Sequence, residues 1–430
     1  MLLDLTPEQE FFQETTAKFL ADQVPPAILQ RFAGDVPADF EADYWRRGAD
    51  LGWTSLLVSE DAGGGSISEN AVTDLALIAF EFGRHAAPGP FVPANIVAAA
   101  LGAAGPHAGP LAELLAGTAI AAWCHDEPRR GLGAVQLAIR AYGDDLVLDG
   151  VKRPVEAAGT AKYLLVTGKD GDGGLTQVLV PAGTAGITVT PLRTTDYGKR
   201  MYQVAFTGVR VPASAVVGEP GGAAAQVERQ LQLALVMLSA ETAGAMQAAF
   251  DMTLGWAFDR YSFGRPLASY QAIKHRFADL KTWLESSHAI TGAAAAAVGE
   301  AGTVGEAGTA SEAGRAGEAP ASQGTVAART GELASAAKAY TGQYGPELMQ
   351  ECVQLHGGIG LTLEHDLHLY LRRVITNAML HGTPADHRAR IADIVEQREG
   401  LTEPVGDTEP VGDTEPVGDT EPVENTGDAA

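Results

Sequence analysis

Arg260-Tyr-Ser-Phe-Gly-Arg-Pro-Leu267, with Gln271 just beyond it, and Gln354-Leu-His-Gly-Gly-Ile-Gly360 are the stretches on which the reading of this chain turns. The first places a cation, an aromatic ring and a side-chain amide close together. A planar guanidinium such as that of Arg260 matches phosphate oxygens through charge-assisted hydrogen bonds. The second places an amide ahead of Gly357 and Gly358, where a missing Cβ lets a ligand approach the backbone. Together these groups suit a bulky, anionic, aromatic cofactor such as FAD. No strand-linked Gly-x-Gly-x-x-Gly accompanies them, so a Rossmann dinucleotide site is not the reading.

Working outward, residues 223–398 read as helical, with helices predicted over Leu231–Tyr261, Tyr270–Ala296, Gly331–His356 and Glu364–Ala378. Residues 119–222 have a different character. Leu137–Tyr142, Asp145–Gly150, Tyr163–Gly168, Gln177–Pro181, Gly186–Pro191 and Gln203–Pro212 are short β-rich runs bounded by Gly, Pro and Asp, which predicts an antiparallel β domain. Residues 1–118 are again helical in pattern. Thr6 precedes Pro7 and early acids, a helix start, and Phe11, Phe12, Thr15, Phe19 and Leu20 follow at helical spacing. Further helices are predicted over Tyr44–Leu51 and Ala71–Phe82, with Asp61–Ser66 a loop between them.

Two segments fall outside this plan. Residues 296–327 are rich in Gly, Ala and Glu and have too little apolar bulk to offset ordering entropy, which predicts a mobile helix–helix connection. Within residues 399–430, Glu-Pro-Val-Gly-Asp-Thr repeats from Glu403; the recurring proline forbids a regular helix and predicts a disordered acidic tail.

Composition narrows the function classes. The 430-residue chain is 46% hydrophobic, long enough for two or three compact units with a substantial core. Net charge is −24; removing the nine acids of residues 401–430 still leaves −15, so non-specific nucleic-acid binding is disfavoured. No uninterrupted apolar run reaches the roughly 18 residues of a membrane span. Cys124 and Cys352 are too few for a disulfide framework or a zinc site. An acidic start without a basic n-region predicts no signal peptide, and the expected location is the cytoplasm.

Helical, β and helical regions in this order, with the two opening motifs, resemble the acyl-CoA dehydrogenase family over about residues 3–395. Leu3–Glu10 and Glu81-Phe-Gly-Arg84 resemble its N-terminal domain. The fold this implies is α+β: an N-terminal helical domain, a middle antiparallel β domain and a C-terminal four-helix bundle. The resemblance implies FAD as cofactor, an acyl-CoA or other acyl thioester as substrate, and electron-transfer flavoprotein as electron acceptor. Arg260 would then hold the pyrophosphate of FAD in a neighbouring subunit. Ser262 would donate a hydroxyl, Phe263 would pack on the adenine side, and Leu267 and Gln271 would line the same site. Gln354, Gly357 and Gly358 would meet the ADP moiety, and Thr383 matches a threonine that contacts FAD.

Departures from the family pattern bear on catalysis. Its catalytic glutamate usually stands in Tyr-Glu-Gly-Thr; here Met379-Leu-His-Gly-Thr383 occupies that place, at matching spacing from Gly358. The alternative position on the long helix is Ala234. His381, whose imidazole can accept a proton near neutral pH, and Glu241, two turns beyond Ala234, are therefore the candidate bases. The flavin-contacting Thr-Glu-Pro loop is matched only by Asp126-Glu127-Pro128, and the Trp-Ile-Thr segment by Pro154-Val155-Glu156. Three readings follow: an acyl thioester dehydrogenase acting alone as a homo-oligomer, a non-catalytic subunit completing the FAD site of a homologous partner in a heterotetramer, and another flavin oxidase or monooxygenase on the same fold.

Overall fold

The computed structural model describes residues 5–30, 40–128, 131–306 and 323–399. Among the described residues six α-helices come first: α1 (Pro7–Gln23), α2 (Pro26–Leu29), α3 (Ala42–Asp50), α4 (Ala71–Arg84), α5 (Phe91–Ala104) and α6 (Ala108–Leu115). Thr6 caps α1 in a reciprocal box with Gln9, each side chain meeting the other's backbone N–H. Phe12, Thr16 and Leu20 form the buried face of α1, whereas Phe11 points to solvent. Helices α5 and α6 were not anticipated. Helix α5 is buried on nearly all sides, so it carries no polar face to mark a helical period.

The middle domain contains β1 (Ala121–Cys124), β2 (Ala138–Tyr142), β3 (Asp145–Glu156), β4 (Tyr163–Lys169), β5 (Leu175–Pro181), β6 (Ile187–Pro191) and β7 (Met201–Pro212). Their order is β1-β4-β2-β3-β7-β6, with β5 pairing β4. Most pairs are antiparallel, as expected, but β1 runs parallel to β4, with Trp123 opposite Leu165. Strand β1 is buried throughout, so its four residues lack the alternation that marks a half-exposed strand. Leu148, Val166, Val180 and Val204 are among the residues of this domain's own core.

The C-terminal domain is built on three long helices, α7 (Ala224–Asp259), α8 (Gln271–Glu306) and α9 (Gln323–His356), with α10 (Leu367–Met379) and α11 (Pro384–Glu399) packed on α9. Residues 296–306 and 323–327 continue α8 and α9, so the predicted loop is a correction here. Alanine favours helix, and Val298 is buried in the core. The rest of that segment and residues 400–430 lie outside the described residues. Helix α7 has the length and apolar content of a membrane span, yet it is largely buried inside the bundle.

The N-terminal and C-terminal helices share one core, in which Trp53, Ile78, Leu235, Met246 and Leu348 are buried. It is tight at the crossing of α4 and α7. A Cβ on Gly83 would lie 1.8 Å from the Glu241 carbonyl oxygen, and one on Gly244 would lie 1.9 Å from that of Phe80. Only hydrogen fits at either position.

Candidate functional site

Helix α7 ends at Asp259, and the chain turns at once into a hairpin of β8 (Tyr261–Ser262) and β9 (Arg265–Pro266). Phe263 and Gly264 form its two-residue loop with φ of 49° and 79°, the left-handed pair that suits a tight hairpin. Tyr270 braces the hairpin: its hydroxyl donates to the Ser262 carbonyl at 2.7 Å, and the Arg265 guanidinium stacks 3.8 Å from its ring centre. The braced tip presents Phe263, which is 99% exposed. A whole phenyl ring on a rigid mount is thereby left in water.

The second motif stands beside the first. Trp256, one turn before Arg260, stacks on His356 at 5.5 Å between ring centres, tying the end of α7 to the end of α9. His356 Nδ1–H donates to the Cys352 carbonyl at 2.8 Å, which fixes its ring. Gly357 terminates α9 with φ of 68°, and neither Gly357 nor Gly358 has a protein atom within 4 Å of where a Cβ would stand. Arg260, Gln271, Gln354 and both glycines are exposed, while Ser262 and Leu267 are partly so. Ile359, Leu361 and Leu363 add exposed apolar side chains beyond the glycines, as Phe258 and Tyr261 do around the hairpin. The motif residues are thus displayed on the outer surface.

His381 lies elsewhere, in the turn between α10 and α11, with φ of 53°. Its Nδ1 is 2.9 Å from Asp126 Oδ2, off the line of a straight hydrogen bond, so the contact is an ion pair when the imidazole is protonated. Burial works to raise the Asp126 carboxyl, but the His381 charge and contact outweigh it and hold the group down at about 2. The His381 ring also leans on Trp123 at 4.9 Å, and Trp123 stacks on His125 at 4.9 Å with 10° between planes. Burial keeps His125 neutral, its pKa lowered to about 4.

The neighbouring loop is equally pinned. Lys152 Nζ, fully buried, donates to Glu127 and to the His125 carbonyl, each at 2.9 Å. The same Glu127 oxygen accepts from the backbone N–H groups of Gln136 and Leu137 at 2.8 Å. Thr383 donates its hydroxyl and its backbone N–H to Asp386, capping α11.

Glu241 is not at this turn, and the structure corrects its candidacy. Arg373 donates to one of its oxygens at 2.7 Å, and Lys199 and Asn377 donate to the other at 2.6 and 2.9 Å. Burial would raise its carboxyl, but Lys199 and Arg373 more than offset that and hold it below the ordinary range. A buried carboxylate held by three donors, two of them cations, is a weak base toward a substrate proton. Sequence reasoning missed Asp126 as the partner of His381, because nothing local relates positions so far apart.

The order of an N-terminal helical domain, a middle β domain and a C-terminal helical domain is that of flavin-dependent acyl-CoA dehydrogenases. Residues 6–108 match the model for the acyl-CoA dehydrogenase N-terminal domain and residues 221–395 that for its C-terminal domain. The chain is 27% identical over 391 residues to the acyl-CoA dehydrogenase IpdE2 of Mycobacterium tuberculosis, covering 90% of this chain and 98% of that one. Against the probable acyl-CoA dehydrogenase YngJ of Bacillus subtilis it is 25% identical, covering 91% and 99%. Butyryl-CoA dehydrogenase of Megasphaera elsdenii superposes with a TM-score of 0.77 at 20% identity, covering 92% of this chain and all of the other. A glutaryl-CoA dehydrogenase of Mycobacterium smegmatis in complex with FADH2 gives 0.72 at 19%, covering 91% and 95%. The chain belongs to the acyl-CoA dehydrogenase family, flavin oxidoreductases whose cofactor is FAD and whose reaction is the dehydrogenation of acyl-CoA.

The residues present fit FAD by halves. The open glycines and the exposed Arg260 suit the ADP moiety. At His381 the cavity is about 200 Å³, lined by Asp126, Glu127 and Asp386 among others. A second, against Trp123, Glu156 and Leu380, is about 10 Å³, room for no more than a water. Pockets for sizeable ligands run to roughly 300–1,000 Å³. A groove of about 890 Å³ along α11 adjoins the first cavity, but its Arg390 and Arg398 are already paired with Glu228 and Glu332. Beside His381 the side chains thus close on one another, leaving less open space than such pockets have.

Proposed function

We propose that this chain serves acyl-CoA dehydrogenation as the subunit that completes the FAD site of a homologous, catalytic chain. The observation that carries the reading is the separation of the two halves: the motif residues that would meet the ADP moiety face outward, while the two segments that would flank the flavin ring meet at 2.9 Å, His381 against Asp126. In the joint site the Arg260 guanidinium would pair with the pyrophosphate, and the Ser262 hydroxyl would add a hydrogen bond. Phe263 would leave water for the partner's surface, and Gly357 and Gly358 would let their backbone reach the ADP moiety. FAD, when bound, supplies the acceptor for the acyl β-hydrogen and relays electrons to electron-transfer flavoprotein. The exposed apolar side chains around both motifs support assembly with another chain.

A second reading has a specific observation in its favour. His381 stands at the position of the family's glutamate and has a carboxylate partner, so it could take the α-proton in a chain acting alone. One experiment separates the two. The chain is purified alone and after co-expression with a homologous acyl-CoA dehydrogenase chain, and both samples are assayed for FAD and for anaerobic flavin bleaching by acyl-CoA. Flavin retained only after co-expression is the expected result. No change in solubility, FAD content or activity on co-expression overturns the assembly reading. Bleaching by the single chain, abolished in His381→Gln, establishes the second.

A further inference from the structure

We infer that the contact between Asp126 and His381 is a latch that excludes flavin from this chain's own ring slot, braced from behind by Lys338 and His387. The inference rests on the assembly reading above and assigns residues to a choice that reading leaves open: which of two related slots takes the cofactor.

Both jaws of the latch are fixed. On the bundle side, Lys338 Nζ donates to the Ala378 carbonyl at 2.9 Å and to the Gly382 carbonyl at 3.1 Å. His387 Nε2–H donates to the His381 carbonyl at 2.9 Å. Gly382 has φ of 102°, and a Cβ there would stand 2.8 Å from that same His387 nitrogen. His381 itself holds a left-handed φ of 53°, a conformation that a side-chain-bearing residue keeps only where its surroundings over-determine it. On the β-domain side, the Arg153 N–H donates to the Asp126 carbonyl at 2.8 Å, and the buried Lys152 anchors the residues on either side of Asp126.

Between these jaws the gap is closed by a 2.9 Å contact. A planar ring inserted between two surfaces needs roughly 7 Å, one van der Waals separation on each face. Trp123 fills the flank of the gap, packed between His125 and His381. Excluding a ligand by occupying its place with paired side chains gives specificity without requiring tighter binding elsewhere.

The test titrates riboflavin and FAD into the purified full chain by flavin fluorescence, for the wild type, His381→Gln and the double variant Asp126→Ser/His381→Ala. Folding is checked by circular dichroism. The expected result is no saturable riboflavin binding by the wild type and saturable binding in both variants. His381→Gln keeps a polar side chain of similar bulk, so it carries the test should the double variant fail to fold. Folded variants with flavin binding unchanged overturn the latch and leave the assembly reading standing. A wild-type chain that retains stoichiometric FAD when purified alone overturns both.

Discussion

Arg373 donates to Glu241 at 2.7 Å from a position without solvent exposure, and the same guanidinium reaches Asp196 and the Ala86 carbonyl. One side chain on α10 thereby joins α7, the middle domain and the N-terminal domain. Removing one member of a buried ion network leaves the others charged and unpaired, at a cost of about 3–5 kcal/mol. Arg373→Met and Glu241→Ala should each lower unfolding free energy by that order in urea titrations. A loss near zero in either variant would show that the network is not a joint between domains.

The crossing of α4 and α7 gives a sharper steric case. Gly83→Ala and Gly244→Ala each place a methyl group under 2 Å from a backbone oxygen of the opposing helix. Backbone cannot swing aside as a side-chain end can, so each should cost at least about 1–3 kcal/mol. Gly255→Ala is the control on the same helix, with nothing within 4 Å; it should be neutral or stabilising, as measured by thermal unfolding.

Acid should weaken the fold before its carboxylates titrate. Burial lowers His125, His288 and His387 each to about 4, so the native chain keeps them neutral below the pH at which an unfolded histidine charges. Between about pH 6.5 and 4 the unfolded state therefore binds more protons, and stability falls as pH falls, with a slope approaching three protons. Urea titrations across that window should show it, and His288→Gln should reduce the slope by about one proton. The depressed Asp126 carboxyl adds stability present above its unfolded pKa and lost only as pH falls toward about 2.

At the hairpin, stability and assembly should separate. Arg260 and Phe263 are exposed, so Arg260→Ala and Phe263→Asn should leave the isolated chain within about 0.5 kcal/mol of wild type. Asparagine tolerates the left-handed backbone of position 263 better than phenylalanine does. In the co-expressed assembly, loss of a charge-assisted bond worth about 1.5–3 kcal/mol should weaken FAD retention by roughly 10- to 100-fold in Arg260→Ala. Equal FAD retention in the variant and wild-type assemblies would remove Arg260 from the cofactor site.

Much of this protein was legible in its residue order. Short β-rich runs between two helical regions define the three domains, because periodicity and turn residues are local properties. Gly357 and Gly358 were legible as a place where the backbone is open to a ligand, and neither has a protein atom near where a Cβ would stand. Strand β1 and helix α5 escaped because both are buried on nearly all sides, which erases the alternation that reveals an element.

The sequence by itself determined which residues make up the two exposed motifs and that the position of the family's glutamate holds a histidine. Only the tertiary structure decided what the acids do, since a carboxylate's role depends on partners brought from distant parts of the chain. Lys199 and Arg373 hold Glu241 inside the core, and the Asp126 loop meets His381 across a domain junction. Charge and hydrogen bonding act over a few ångströms of space, so that choice could be made only once the chain had folded.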